Sequence, residues 1–395
     1  MIHRRQLLRA TAVLAAAPAL ARPALAQGAP LKIGMITTLS GPGAYLGQDI
    51  RDGFLLAMQM EGGKLGGAAV RLLVEDDELK PAQGKQIAER FTDTEKVRLL
   101  TGIAFSNVLG ATVPDVLEDG NIYVGTNGSP SFLAGKDCDR NYWSVAWQFE
   151  GPHEAAGQAA NTLGFRRVFL LAPNYQNGKD ALGGFKRMFR GQIAGEVYTR
   201  LDQTDYAAEL AQIRAAAPDA VYQFHPGALG RAFLAQYLGA GMLARLPMVL
   251  PAPSMDATTL AAVGEAAVGL HVAACWNGDF TNAANRTFVT AFMNKYNRVP
   301  TLYAQQGYDA ALAIAAALRG TGGKLDSTDA FRAAMQPARF ESTRGKFSFG
   351  SNQHPVQDWF LLKAGLDSQK QPILVTQPGK LLENQGDAYS VQCRL

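Results

Sequence analysis

The residue types that carry chemistry are thinly spread along this chain of 395 residues. Beyond residue 26 there are four histidines, His153, His225, His271 and His354, and none has the H-E-x-x-H spacing that sets two imidazoles on one helix face around zinc. No serine stands in the G-x-S-x-G setting of a nucleophile elbow, and no P-loop is present to wrap a phosphate. The acidic run Glu75-Asp76-Asp77-Glu78 lacks the alternation and the glycine of a calcium loop and reads as a solvated loop. We therefore assign no metal, no cofactor and no catalytic residue, and expect a protein that is not an enzyme. What remains is the glycine-rich turn GPGAYLG, between the β-type run LKIGMITTLS and the helical pattern QDIRDGFLLAMQM. Such a strand, turn and helix aim backbone N–H groups and a helix N-terminus at a ligand. The spacing Gly41, Gly43, Gly47 is one residue longer than G-x-G-x-x-G, so the turn is expected to border a ligand without being a dinucleotide fingerprint. An exported NAD-dependent enzyme is the alternative that this spacing disfavours.

Residues 1–26 read as an export signal: Arg4, Arg5 and Arg9, then the apolar TAVLAAAPALA, then Ala24-Leu25-Ala26 as a small-x-small cleavage site. RRQLLRA approximates a twin-arginine signal, leaving the general secretory and twin-arginine routes both open. Periplasmic localisation follows, with cleavage near Ala26. The segment holds four of the 38 basic residues and no acid, so the formal charge of +4 belongs to it and the remainder balances at 34 basic and 34 acidic residues. A neutral remainder gives no reason to expect nucleic acid or an anionic membrane as a partner. Of three cysteines, Cys138 lies in the polar stretch AGKDCDRN and Cys393 in the C-terminal tail, whereas Cys275 ends the apolar run GLHVAAC. The first two are paired as a structural disulfide and Cys275 is assigned to the core.

The remaining 369 residues exceed one typical core, so two domains are expected. Short β-rich runs alternate with helical ones. AVRLLVED, VRLLTGI and NIYVG, then RRVFLLAP, GEVYTRL, DAVYQFH and LPMVLPA, are separated by helices such as PAQGKQIAERFTDTE and HEAAGQAANTLG. The alternation predicts α/β units with parallel sheets covered by helices on both faces. Asp205 and Asp256 stand where N-caps are expected. Residues 282–336 read as helical without strands of their own and are assigned back to the first lobe. The end, KFSFGSN, VQDWFLLKA and QPILVTQ, reads as strands and a hairpin.

In this order the strings IGMITTLSGPGAYLGQDIRDG, TDYAAELAQIRAAAPDAVY, GRAFLAQYLGAGM, VGEAAVGLHV, FMNKYNRVPTLYAQQGYDAALAIAAAL and FESTRGKFSFGSNQHPVQDWFLLK resemble a known family. It is that of the type I periplasmic solute-binding proteins of ABC importers, in the branched-chain amino acid (Leu/Ile/Val) binding branch. The likeness runs from Leu31 to Lys363. It implies a two-lobe protein joined by a multi-crossing hinge, residues 27–148 plus 277–354 forming the N-terminal lobe and 149–276 plus 355–395 the C-terminal lobe. It further implies a monomer that closes on a small carboxylate solute and docks on an ABC permease in the inner membrane. A sensor that presents its ligand to a receptor kinase would use the same closed form.

In the family the ligand carboxylate meets a hydroxyl and backbone N–H groups from two first-lobe loops, which here correspond to IAFSN and GTNGSPS. The resemblance thus nominates Ser106 and Ser129 as hydroxyl donors, with Ala104, Phe105, Thr126, Asn127 and Gly128 lining the same pocket; helix-capping serines are the plainer reading of both. On the other lobe this chain departs from the amino-acid pattern. NYQNG puts Asn177 where a tyrosine is usual, and LPAPSMD puts Ala252 near the position of an ammonium-binding acid. A buried ammonium without a counter-charge costs several kcal/mol, which favours an aromatic acid of the benzoate or hydroxybenzoate type over a branched-chain or other amino acid. Asp256 is the alternative ammonium partner. Tyr45, Phe105, Trp147, Tyr175, His225 and Trp276 suit a flat ring, with His225 and Asn177 as polar ends. Scaffold packing is the competing role for Tyr45, the two tryptophans and His225.

Overall fold

A computed structural model describes residues 29–41 and 43–395. The export signal expected over residues 1–26 lies outside the described residues. The first strand, β1 (Leu31–Thr37), buries Ile33 and Met35 in one apolar cluster and Ile36 in another, because helices cover both faces of its sheet. It pairs with β3 (Ala68–Asp76) and β4 (Leu99–Thr101), and the sheet is completed by β2 (Lys64–Leu65), β5 (Ile122–Gly125) and β6 (Tyr142–Ser144) in the order β2-β3-β1-β4-β5-β6. All its pairings are parallel except the β2–β3 hairpin. The run VRLLTGI contributes only three residues to its strand, and β2 and β6 carry no period-2 signal long enough to be read from the sequence.

The second sheet contains β7 (Arg167–Pro173), β8 (Gln192–Thr199), β9 (Ala220–Gln223), β10 (Met248–Pro251) and β11 (His271–Ala274), all mutually parallel. The chain end then adds β12 (Ser348–Phe349), β13 (Pro355–Leu366), β14 (Pro372–Thr376) and β15 (Leu382–Gln385), where β13 runs antiparallel to β11 and to the other three. Helices Ala283–Tyr296, Leu302–Gly320 and Thr328–Met335 pack against helix Ala44–Met60, against one another and on the first sheet. The alanine-rich helix Leu302–Gly320 is buried on nearly every side, with Arg319 in its exposed last turn and its one carboxylate, Asp309, paired in the interior.

Local signals explain most boundaries. Asp256 caps the helix Ala257–Val263 by accepting from the Thr259 N–H. Asp205 falls one residue short of the cap position, which Tyr206 occupies; its Oδ1 instead accepts from the Ala207 N–H at 3.0 Å. The acidic run is a folded turn: Asp76 accepts from the N–H groups of Leu39 and Glu78, while Asp77 accepts from the Thr38 hydroxyl and the Leu79 N–H. Cys138 and Cys393 form a disulfide with Cα atoms 5.6 Å apart, and Cys275 is buried and free. Among the described residues no helix is long and apolar enough to cross a membrane.

Three chain segments pass between the two sheets, near residues 145–150, 275–282 and 336–347. Arg344 sits where they meet. Its guanidinium donates to the carbonyls of Val145 and Ala146 at 2.6 and 2.9 Å and to Gln357 Oε1 at 2.7 Å, and pairs with the fully buried Asp309 at 3.3 Å.

Candidate functional site

Three helices begin at one place without a side-chain cap. Phe105 precedes helix Ser106–Glu118, Tyr175 precedes Gln176–Met188 and Pro226 precedes Gly227–Gly239; each is the N-cap residue, and none makes a capping side-chain bond. A helix N-terminus leaves its first N–H groups unpaired and carries partial positive charge. All three cap residues line one small cavity of about 50 Å³ between the two sheets, room for a few water-sized volumes. The wall also holds Leu46, Ala104, Ser106, Asn127, Trp147, Phe149, His153, Asn177, Phe224, Pro253 and Tyr303. Six of these side chains are aromatic rings, and the lining contains no Asp, Glu, Lys or Arg.

Ser106 is the first residue of its helix and faces this cavity. Asn127 holds the two first-lobe loops together by donating its Nδ2 to the Ala104 carbonyl at 2.6 Å. Gly128 packs beneath the same wall; a Cβ there would stand 2.4 Å from the Phe149 ring. His153 lies in the first turn of helix Gly151–Thr162, with Nδ1 2.6 Å from the Tyr222 hydroxyl and its ring edge-to-face with Phe224 at 4.7 Å. Burial lowers its pKa to about 3, so the imidazole is neutral. Asn177 presents a buried Oδ1 with no partner. Tyr175, half-buried, stands two residues before it, and desolvation lifts its phenol well above the ordinary range.

Of the residues nominated from the sequence, Ala104, Phe105, Ser106, Asn127, Trp147, Tyr175 and Asn177 thus share the cavity wall. Others lie apart. The Ser129 hydroxyl, fully buried, is bonded to His354 Nε2 at 2.7 Å and to the Tyr142 hydroxyl at 2.9 Å. Thr126 is buried beyond the wall. His225 belongs to the scaffold of the second sheet: its nitrogens engage Thr199 Oγ1 at 2.8 Å and Gln223 Oε1 at 2.7 Å, and its ring stacks on Phe233. Trp276 donates to Asn285 Oδ1 at 2.7 Å and faces a larger apolar groove, shared with Asp256, Arg298 and Thr301. The polar groups of that groove are mostly engaged with the scaffold: Arg298 pairs with Asp49 and Asp52, Thr301 donates to Asp49, and Asp256 Oδ1 caps its helix.

Tyr45 stands behind Tyr303, ring centroids 6.1 Å apart and edge-to-face. It reaches from helix Ala44–Met60 to the other lobe, where Arg231 lies over its ring at 5.5 Å and the Asp256 carboxyl flanks its hydroxyl. His153, Phe149, Phe224 and Tyr303 were not nominated from the sequence. The histidine in GPHEAAG looks like any helix residue until three helix ends are seen to converge on it.

The family model described as Periplasmic binding protein matches residues 30–370. The chain is 26% identical over 343 residues to the Leu/Ile/Val-binding protein homolog 6 of Brucella melitensis, which covers 84% of this chain and 86% of that protein. Among solved structures it is similar to an R. palustris ABC transporter solute-binding protein in complex with benzoate, with a TM-score of 0.86, 28% identity, and coverage of 93% of this chain and 100% of the other. A second, from Rhodopseudomonas palustris BisB5 and in complex with 3,4-dihydroxy benzoic acid, has a TM-score of 0.84, 25% identity and coverage of 91% and 99%.

Proposed function

Because this chain belongs to the periplasmic binding protein family, as a type I solute-binding protein of the branched-chain amino acid branch, we propose that it captures a small aromatic carboxylate in the periplasm. It hands this solute to an ABC permease. Solute capture, not catalysis, is what the family does; the class of ligand is our reading. The observation that carries it is the wall of the central cavity: three uncapped helix N-termini, six aromatic rings and no charged side chain. Unpaired N–H groups with the Ser106 hydroxyl stabilise a carboxylate without a buried arginine. An α-amino acid would also bring an ammonium, and that wall contains no carboxylate to receive it. The rings match the faces of a flat apolar ligand. Both similar solved structures described above hold benzoate-type acids, which supports the same class.

Closure follows from where the wall residues come from. Ser106 and Asn127 belong to the first lobe, Tyr175 and Phe224 to the second, so a ligand touching both favours the closed arrangement by its differential contacts. A thermal-shift screen decides the class, since a ligand that binds only the folded state raises the melting temperature. We expect stabilisation by benzoate-type acids and none by leucine, isoleucine or valine. Stabilisation by an aliphatic amino acid with no response to aromatic acids would overturn the proposal.

A further inference from the structure

Two polar atoms on the second-lobe wall of the cavity face it without a protein partner, and their hydrogen-bond senses are opposite. The Tyr222 side chain is fully buried, and its hydroxyl has His153 Nδ1, at 2.6 Å, as its one hydrogen-bond partner. A buried phenol proton without an acceptor is costly, so Tyr222 donates to Nδ1. That fixes the neutral ring as the Nε2–H tautomer, with a donor left on a residue that lines the cavity. On the adjoining helix Gln176–Met188, also in its first turn, Asn177 lines the same cavity and keeps its Oδ1 buried and unpaired. This atom is an acceptor. One donor and one acceptor on the wall of the same small cavity, the acceptor buried, are complementary to a single group that both accepts and donates.

Resting on the reading of the ligand as an aromatic carboxylate, we propose that this wall reads a hydroxyl on the ligand ring, His153 Nε2–H donating to its oxygen and Asn177 Oδ1 accepting its proton. Tyr222 is the positioning residue, acting through the tautomer it imposes. The carboxylate then lies toward Ser106 and the hydroxyl at the far end. A site built this way discriminates strongly against an isostere lacking the hydroxyl, because both polar atoms would then stay unpaired.

The test is isothermal titration of the whole protein with 3- and 4-hydroxybenzoate, benzoate and 4-methylbenzoate. At least one hydroxybenzoate is expected to bind about tenfold or more tightly than 4-methylbenzoate. Asn177→Leu and His153→Phe should collapse that ratio toward unity. Tyr222→Phe should lower it too, and nitrogen chemical shifts of the His153 ring should move away from the pure Nε2–H pattern. Equal affinity of the wild type for the hydroxylated and methylated acids overturns the inference and leaves the aromatic-acid reading standing, as does a ratio that survives both wall variants. Absence of binding by all four acids overturns the reading on which the inference rests.

Discussion

Removing the carboxylate of Asp309 tests whether the three crossings are pinned together electrostatically. Asp309 is fully buried and accepts from Ser342 Oγ at 2.6 Å, Gln305 Nε2 at 2.8 Å, the Thr343 N–H and hydroxyl at 3.1 Å each, and Arg344 Nε at 3.3 Å. In Asp309→Leu the guanidinium of Arg344, only 6% exposed, loses its counter-charge, and breaking one partner of such a pair costs about 3–5 kcal/mol. Against a total stability of about 5–15 kcal/mol, that is a large share. At a urea dependence of about 3 kcal/mol per M the unfolding midpoint should fall by about 1–2 M. The double variant Asp309→Leu with Arg344→Met removes the stranded charge but also the donors to the Val145 and Ala146 carbonyls, at on the order of 1 kcal/mol each. It should therefore be more stable than Asp309→Leu alone, yet about 2 kcal/mol below the wild type. Urea denaturation followed by tryptophan fluorescence measures all three. A loss below about 1 kcal/mol in the single variant, or a double variant less stable than the single, would refute the argument.

Four further outcomes are expected. The Cys138–Cys393 bridge spans 255 residues of sequence, so reduction or Cys393→Ser should cost about 2–4 kcal/mol, read from denaturation with and without reductant. Cys275, whose thiol burial pushes up to about 11, should stay unalkylated until the chain unfolds. Gly53→Ala would set a Cβ 1.9 Å from the Ala304 carbonyl oxygen, where helix Ala44–Met60 meets Leu302–Gly320; we expect a loss of about 1–3 kcal/mol, and a neutral outcome would mean that the two helices separate freely. Burial also holds His225 down to about 3 from its ordinary 6.5. The unfolded chain then binds the extra proton, so this contribution is intact above about pH 6.5 and is lost as pH falls toward 3, at about 1.4 kcal/mol per pH unit. Wild type should lose about 2 kcal/mol more than His225→Gln between pH 7 and pH 5 in urea titrations.

What could be read from the sequence follows the range over which each cause acts. Strand and helix order comes from periodicity within a dozen residues, so LKIGMITTLS, DAVYQFH and YDAALAIAAAL declare themselves. The short β6 does not, because its three residues are a strand only by pairing with β5. The Cys138–Cys393 bridge was legible from polarity alone: two cysteines in polar settings and one at the end of an apolar run. Side-chain destinations were harder. His225 follows a strand whose end points at the cleft, but the partners that absorb its nitrogens, Thr199 and Gln223, lie at the end of β8, two strands away in the sheet, and two residues back. Ser129 is likewise taken up by His354, 225 residues away in sequence. A polar residue's neighbours decide whether it is available to a ligand, and those neighbours are set by the fold.

The converse holds for His153 and Asn177. Nothing within a turn of either says that one nitrogen or one oxygen will be left without a partner. Their availability arises because the first turns of helices Gly151–Thr162 and Gln176–Met188 both reach the cavity wall, and because Tyr222, from β9, takes up the other nitrogen of His153. A desolvated polar atom without a partner destabilises the empty protein, and the same atom gains most when a matching group arrives. The cavity wall thereby concentrates its unsatisfied donors and acceptors where closure of the two lobes would shield them from water. Binding and closing are coupled for that reason: the lobes lose hydration of these atoms on closing, and only a ligand that replaces it makes the closed form the stable one.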